Sequence, residues 1–287
     1  MPMSSATLGK TTKNFRHVAD ARWLMSYAAG LGDFNKSYFD TTQGVVGHPI
    51  FPVCVEWPVI LDVRNVEGST SMTFEEAARG VHASHDLHIH RLVRQDEELF
   101  TNATIIGIEQ RQPGAYQVLR IDTRDREGQL VATTYQGGLW RGVNVLGEDK
   151  SISASPDLPT IAEADSSGDR VFELAVSPHA AHVYTECARI WNPIHTDKAV
   201  ALAAGLPDII LHGTATLALA VSKIVFECLD LDPARVRRVA CRFAAMVLMP
   251  STLKLVIDAR SESGIWFTVF NTEDEPAIRG GYLGIEP

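Results

Sequence analysis

The sequence predicts an α+β protein made of two copies of one unit, in which a helix and a motif-bearing loop lead into an apolar helix and a run of antiparallel strands. Three observations predict this. Laid on itself at an offset of 157 residues, the chain matches Tyr27 with Tyr184, Asn35 with Asn192, Tyr38 with His195 and Asp40 with Asp197, and such self-similarity marks a duplicated unit. Segments 84–93, 98–110, 115–124 and 129–139 alternate apolar and polar residues between turn signals, Gln112-Pro113-Gly114 and Arg126-Glu127-Gly128 among them, as antiparallel strands do. Segment 213–229 is apolar nearly all round, which suits a helix sheathed by a sheet.

In chain order, 18–31 has apolar residues at helical spacing behind Asp20, which suits an N-cap, and it stops near Gly30 and Gly32. The loop Asp33-Phe34-Asn35-Lys36-Ser37-Tyr38-Phe39-Asp40 follows. An apolar helix is expected over 53–63, with Pro58 inside it as a kink. After the strands, the polar, proline-punctuated stretch around 144–159 reads as a linker. The expected division is a first unit over 1–148, a linker over 149–168 and a second unit over 169–287. The second unit is read as a strand over 170–175, a helix from Ser177 with Pro178 in its first turn, and a second motif loop. The apolar helix from Gly213 and strands over 237–246, 252–259, 264–271 and 277–285 complete it.

Composition bounds the function. With 45% hydrophobic and 21% charged residues the chain has the balance of a soluble globular protein. A formal charge of −9, from 26 Lys+Arg against 35 Asp+Glu, argues against nucleic acid, whose phosphates need a basic surface. Cys54, Cys187, Cys228 and Cys241 are scattered without C-x-x-C spacing, so neither a zinc site nor a disulfide framework is expected. No segment reads as a signal peptide or a membrane span. A cytoplasmic protein is expected.

The chemistry concentrates in the second loop. Pro193 fixes its own backbone and holds Asn192 out of the helical region, so His195 is aimed rather than left mobile. Gly213, at a helix start, can bring its N–H close to a ligand oxygen where the helix dipole favours negative charge. An imidazole and an oxyanion donor together suit proton transfer next to a carbonyl. The histidines His82, His85, His88 and His90 resemble a metal cluster only in sequence, because alternation puts just His88 and His90 on one face and no further ligands join them; no metal site is expected.

Tyr184, Asn192-Pro193-x-His195-x-Asp197 and Ile210-Leu211-His212-Gly213 resemble the signature of the MaoC-like, R-specific enoyl-CoA hydratases. The resemblance implies a double hotdog fold, each half a long helix wrapped by an antiparallel sheet. It also implies a hydratase or dehydratase acting on a 2-enoyl or 3-hydroxyacyl thioester carried by CoA or a carrier protein, with CoA as part of the substrate and no separate cofactor. His195, Gly213 and Asn192 then become the catalytic candidates, and Tyr184, Ile190 and His212 the substrate contacts. The family's loop reads D-x-N-P-x-H, with the aspartate and histidine activating water together. Here the aspartate position is Ile190, while the first loop keeps Asp33 but has Tyr38 at the histidine position. Glu186, four residues before Ile190, is a substitute carboxylate if the helix extends that far. Two other readings stay open: a non-catalytic thioester-binding protein or inactive partner subunit, and an isomerase-like proton transfer using His195 alone. A homo-oligomer, or a hetero-oligomer with a related hotdog protein, is expected.

Overall fold

The computed structural model describes residues 2–69, 72–157, 159–161 and 170–286; the expected linker over 149–168 therefore lies partly outside the described residues. The short strand β1 (Met3–Ser4) precedes β2 (Phe15–Ala19), α1 (Ala21–Gly30), α2 (Pro52–Asp62) and the one-turn α3 (Phe74–Ala78). Next come β3 (Gly80–Ile89), β4 (Glu97–Arg111), β5 (Gly114–Arg124), β6 (Leu130–Arg141), β7 (Val145–Leu146) and β8 (Lys150–Ser151). The second half has β9 (Arg170–Val176), α4 (Ala180–Ala188), α5 (Lys198–Ala203), α6 (Gly213–Cys228), β10 (Val236–Phe243), β11 (Ser251–Arg260), β12 (Gly264–Phe270) and β13 (Pro276–Ile285).

The strands form one 11-stranded sheet in the order β2-β4-β5-β6-β3-β10-β13-β12-β11-β9, with β8 on β4, while β1 pairs with β7. Read outward from the centre, each half repeats the same path: β3, β6, β5, β4, β2 on one side and β10, β13, β12, β11, β9 on the other. The duplication seen in sequence is thus a duplication of topology about the β3–β10 seam. That seam is antiparallel, with Arg238 opposite His88 and Cys241 opposite His85. Arg238 also clamps Asp86 across it, Nε and Nη2 donating to the two carboxylate oxygens at 2.8 Å each, the two-pronged geometry that makes guanidinium–carboxylate pairs strong.

The inner face of the sheet wraps α2 and α6. Leu217, Val221 and Ile224 of α6 are fully buried and share one core with Trp23, Leu24 and Tyr27 of α1 and with Leu253, Phe267 and Leu283 of the sheet. Each such side chain contributes about 1.5–3 kcal/mol on burial. Because the core draws on both halves, neither half completes it alone. Helices α1 and α4 lie against each other: Trp23 Nε1 donates to Cys187 O at 3.1 Å and the Arg189 guanidinium stacks 3.9 Å over the Trp23 ring. Gly30 permits the approach, since a Cβ there would meet Cys187 Sγ at 3.0 Å.

The strands and both central helices fall within a few residues of expectation, and Asp20 caps α1 by accepting from Trp23 N at 2.8 Å. Helix α2 continues past Pro58 to Asp62; its buried face of Val53, Val55, Glu56 and Val59 holds the turn that the proline's missing N–H weakens. Two details differ. Helix α4 starts at Ala180 with His179 as N-cap, so Pro178 lies in the turn before the helix rather than in it. A bulge between His82 and Ser84 shifts the strand's alternation, and this changes which histidines face inward.

Candidate active site

The second loop ends α4 abruptly. Arg189 is left-handed at φ 57° and closes the helix by donating to Thr185 O, so the chain turns before Ile190. Glu186 is exposed and lines a surface cavity with Asp20, Arg22 and Arg189, whereas Ile190 is buried. The two do not share a helix face, and the notion of Glu186 as a substitute for the missing carboxylate is corrected on that ground.

Residues Pro193–His195 form a single 3-10 turn. Asn192 holds it by backbone: its carbonyl accepts from His195 N at 3.1 Å and its own N–H donates to Ile190 O at 3.2 Å. The Asn192 side chain makes no capping bond, whereas Asn35, its counterpart, accepts from Ser37 N at 3.0 Å and donates to Leu231 O at 2.7 Å. His195 is 9% exposed. Its Nδ1 is 2.8 Å from Ile210 O, and a carbonyl only accepts, so Nδ1 carries the proton and Nε2 keeps its lone pair. Burial lowers the His195 pKa to about 4 against the opposing pull of the Ile210 carbonyl, so the ring is a neutral base across the physiological range.

His195 stacks on His212, with centroids 3.7 Å apart and 25° between planes. His212 is the N-cap residue of α6, with Nε2 3.2 Å from Thr185 Oγ1 and the Ile190 backbone acting on the ring. Burial first, and the His195 ring second, push its pKa well below the usual value. Behind it, among the described residues, the N–H groups of Gly213 and Thr214 have no backbone acceptor. They lie at the positive end of a 16-residue helix, which favours an oxygen gaining negative charge. Gly213 is required by packing too: a Cβ there would sit 2.9 Å from the Phe243 ring.

Tyr184 joins this cluster to the other half. Its hydroxyl donates to Thr214 Oγ1 at 3.1 Å and lies 3.2 Å from the hydroxyl of Tyr27, its repeat partner. Tyr184 also lines a cavity of about 200 Å³ between α4, α6 and the end of α1, bounded by Leu211, Ala215, Leu219 and Gly30 to Gly32.

Asp33 lies in the corresponding place of the first half, apart from the His195 cluster. Its Oδ2 is 3.9 Å from His48 Nε2, and His48 is 3.0 Å from Ser222 Oγ of α6. Sequence reasoning missed His48. The rings repeat one arrangement: Tyr27 and Tyr38 lie 5.7 and 5.6 Å from His48, as Tyr184 and His195 lie 5.0 and 3.7 Å from His212. The signal was the Gly47-His48-Pro49 stretch ahead of an apolar helix. His82 and His85, named in the sequence but given no role there, pack together. The bulge brings His82 to the side of His85, their rings 5.3 Å apart and His82 packed 4.7 Å from Phe243. His88 instead faces Asp86 at 3.3 Å and Tyr135. Among the described residues no group of three His, Cys, Asp or Glu converges on a metal position.

Residues 162–273 match the family model for a MaoC like domain, and residues 6–134 match that for a FAS1-like, dehydratase domain region. The chain is 31% identical over 280 residues to 3-hydroxyacyl-thioester dehydratase Y of Mycobacterium tuberculosis, covering 95% of this chain and 92% of the relative. It is 23% identical over 267 residues to a probable enoyl-CoA hydratase 2 of Dictyostelium discoideum, covering 91% and 89%. Against the peroxisomal multifunctional enzyme type 2 of Drosophila melanogaster it is 25% identical over 188 residues, 66% of this chain, and spans 31% of that longer protein. In structure it superposes on a MaoC-like dehydratase from Phytophthora capsici with a TM-score of 0.83 at 21% identity, covering 98% and 97% of the two chains. A Mycobacterium tuberculosis protein described as a double hotdog matches with a TM-score of 0.63 at 14% identity over 95% and 94%.

Proposed function

Because the chain belongs to the MaoC-like dehydratase family, we propose that it adds water to a 2-enoyl thioester, or removes water from the 3-hydroxyacyl form, at the head of α6. The observation that carries this reading is the His195 imidazole, tied at Nδ1 to Ile210 O and free at Nε2, beside the unbonded Gly213 N–H. In hydration, Nε2 takes a proton from water as its oxygen bonds to C3. The C=C electron pair moves onto the thioester oxygen, which the Gly213 N–H stabilises, and the imidazolium returns the proton to C2. Asn192 holds the turn, His212 backs the ring, and Tyr184 and Ile190 shape the wall.

These steps need only side chains and a backbone N–H, so CoA, or a carrier-protein arm, enters as part of the substrate and no separate cofactor is assigned. Free thiols at Cys54, Cys187, Cys228 and Cys241 support a reducing, cytoplasmic setting. Among the described residues no helix is long and apolar enough to cross a membrane. Phe34 and Trp191 occupy repeat-equivalent positions beside the two loops and are 74% and 60% exposed, which supports an oligomer, either of this chain or with a related hotdog protein.

The test is hydration of crotonyl-CoA, followed as loss of the conjugated thioester's absorbance. His195→Ala is expected to lower the rate by about 10²–10⁴, the usual worth of a general acid–base group. An unchanged rate in that variant would remove His195 from the reaction.

A further inference from the structure

The residue that opens α6 is held by a column of rings that reaches into the other half of the chain. Across the seam Arg242 pairs with Ser84 and Cys241 with His85, so Phe243, the last residue of β10, lies beside the start of β3. The Phe243 ring fills the space where a Cβ on Gly213 would sit, 2.9 Å from that position. The same ring meets His82 edge-on, with centroids 4.7 Å apart and 63° between planes. His82 in turn packs on His85, with centroids 5.3 Å apart at 71°, and His85 is buried at the seam. The bulge between His82 and Ser84 makes this column possible. Strict alternation would put His82 and His85 on opposite faces, and the extra residue re-aims His82, as bulges beside active sites do. Among the described residues His82 Nε2 is buried and bonded to nothing, so what His82 gives Phe243 is a ring to pack on.

We propose that His82, carried on the first half, is a positioning residue for the reaction at α6: through Phe243 it fixes where the Gly213 N–H points. Such a donor works only within about 2.7–3.1 Å of the oxygen that gains charge, so a small shift of the helix start is costly. The catalytic consequence rests on the reading of Gly213 as the oxyanion donor. The column itself rests on the packing of the three rings and the bulge.

In the full chain His82→Ala is expected to lower kcat for crotonyl-CoA hydration roughly three- to tenfold, the worth of one edge-on ring contact, with KM little changed. His82→Phe, which keeps a ring against Phe243, is expected to recover most of that loss. The losses from His82→Ala and Phe243→Leu are expected not to add, because the second removes the ring through which the first acts. Should His82→Ala fail to fold, His82→Leu, which keeps bulk without a ring, takes its place. The acid limb of the pH profile is expected to stay where His195 sets it; a limb that moves with His82 makes that ring a titrating participant and overturns the positioning role. The readout independent of turnover is the Gly213 amide resonance in a chain carrying isotopically labelled glycine, identified by its loss in Gly213→Ala. It is expected to shift in His82→Ala and to return toward its wild-type position in His82→Phe. An unmoved Gly213 resonance, or rate losses that simply add, overturns the proposal even where wild-type protein hydrates crotonyl-CoA. Absence of hydration in wild-type protein together with a His82-dependent Gly213 resonance overturns the reaction at α6 and leaves the positioning standing.

Discussion

The proposed mechanism turns on Ile190, the position at which the resemblance implies an aspartate. Buried, its side chain offers a water no acceptor. On the proposed mechanism His195 then orients the nucleophile alone. Ile190→Asp is expected to raise the crotonyl-CoA hydration rate by one to several powers of ten, in keeping with the about 10²–10⁴ that such a group supplies; a rate at or below wild type would show that the loop no longer holds the family's geometry. The His195 ring also sets a pH limit. Its pKa, lowered to about 4 by burial, keeps Nε2 unprotonated until the pH falls through that value, so the acid limb of the hydration profile is expected near pH 4 rather than near the 6.5 of a solvated histidine. Tyr184, His195, His212 and Gly213 were legible because they sit in one short motif. His48 was not, because it matches His212 at an offset of 164 rather than 157. The extra seven residues are the α5 insertion after Asp197, and a fixed-offset comparison passes over any pair beyond an insertion.

At the scale of elements, long periodic segments were readable and short ones were not. α6, α1 and the eight long strands announce themselves by 3.6- or 2-residue periodicity. The five residues of β2 and of α3 are too few to establish a period, although Thr73 and Glu76 form a reciprocal cap that is visible as T-x-x-E. Helix α6 carries the element-scale prediction. Its first residue serves packing, since a Cβ at Gly213 would meet the Phe243 ring at 2.9 Å, and on the proposed mechanism its N–H also meets the reacting oxygen. Gly213→Ala is expected to cost about 1–3 kcal/mol in urea unfolding, the usual cost of overpacking, and to slow hydration as the helix start shifts. Adding Phe243→Leu opens that space and is expected to recover most of the stability. Failure to recover it would place the strain elsewhere than at Phe243.

The whole molecule is acid-labile by construction, because the seam that joins its halves and both helix heads is lined with histidines held neutral. Burial lowers the pKa of His48 and His82 to about 3, lowers that of His85 to about 4, and acts likewise on His195 and His212. Each ring has a lower pKa folded than unfolded, so the unfolded chain binds more protons. The stabilisation is present above pH 6.5 and is lost as pH falls toward 4, at up to about 1.4 kcal/mol per pH unit for each histidine. Glu56, buried and raised to about 7, and Asp33 and Asp258, also raised by burial, work the other way, against these five rings and two more lowered by burial, His17 and His90. The urea midpoint is therefore expected to fall steeply between pH 6.5 and pH 5. His85 tests the account, because both of its ring nitrogens are buried without partners at the seam and its burial serves no bond. His85→Leu removes one titrating group and two unsatisfied atoms while keeping apolar bulk against Leu87 and Cys241. It is expected to raise the midpoint at pH 7 and to flatten the acid slope by about one histidine's share. A variant whose slope matches wild type would mean that His85 takes up no proton on unfolding, and that the seam does not set the molecule's response to acid.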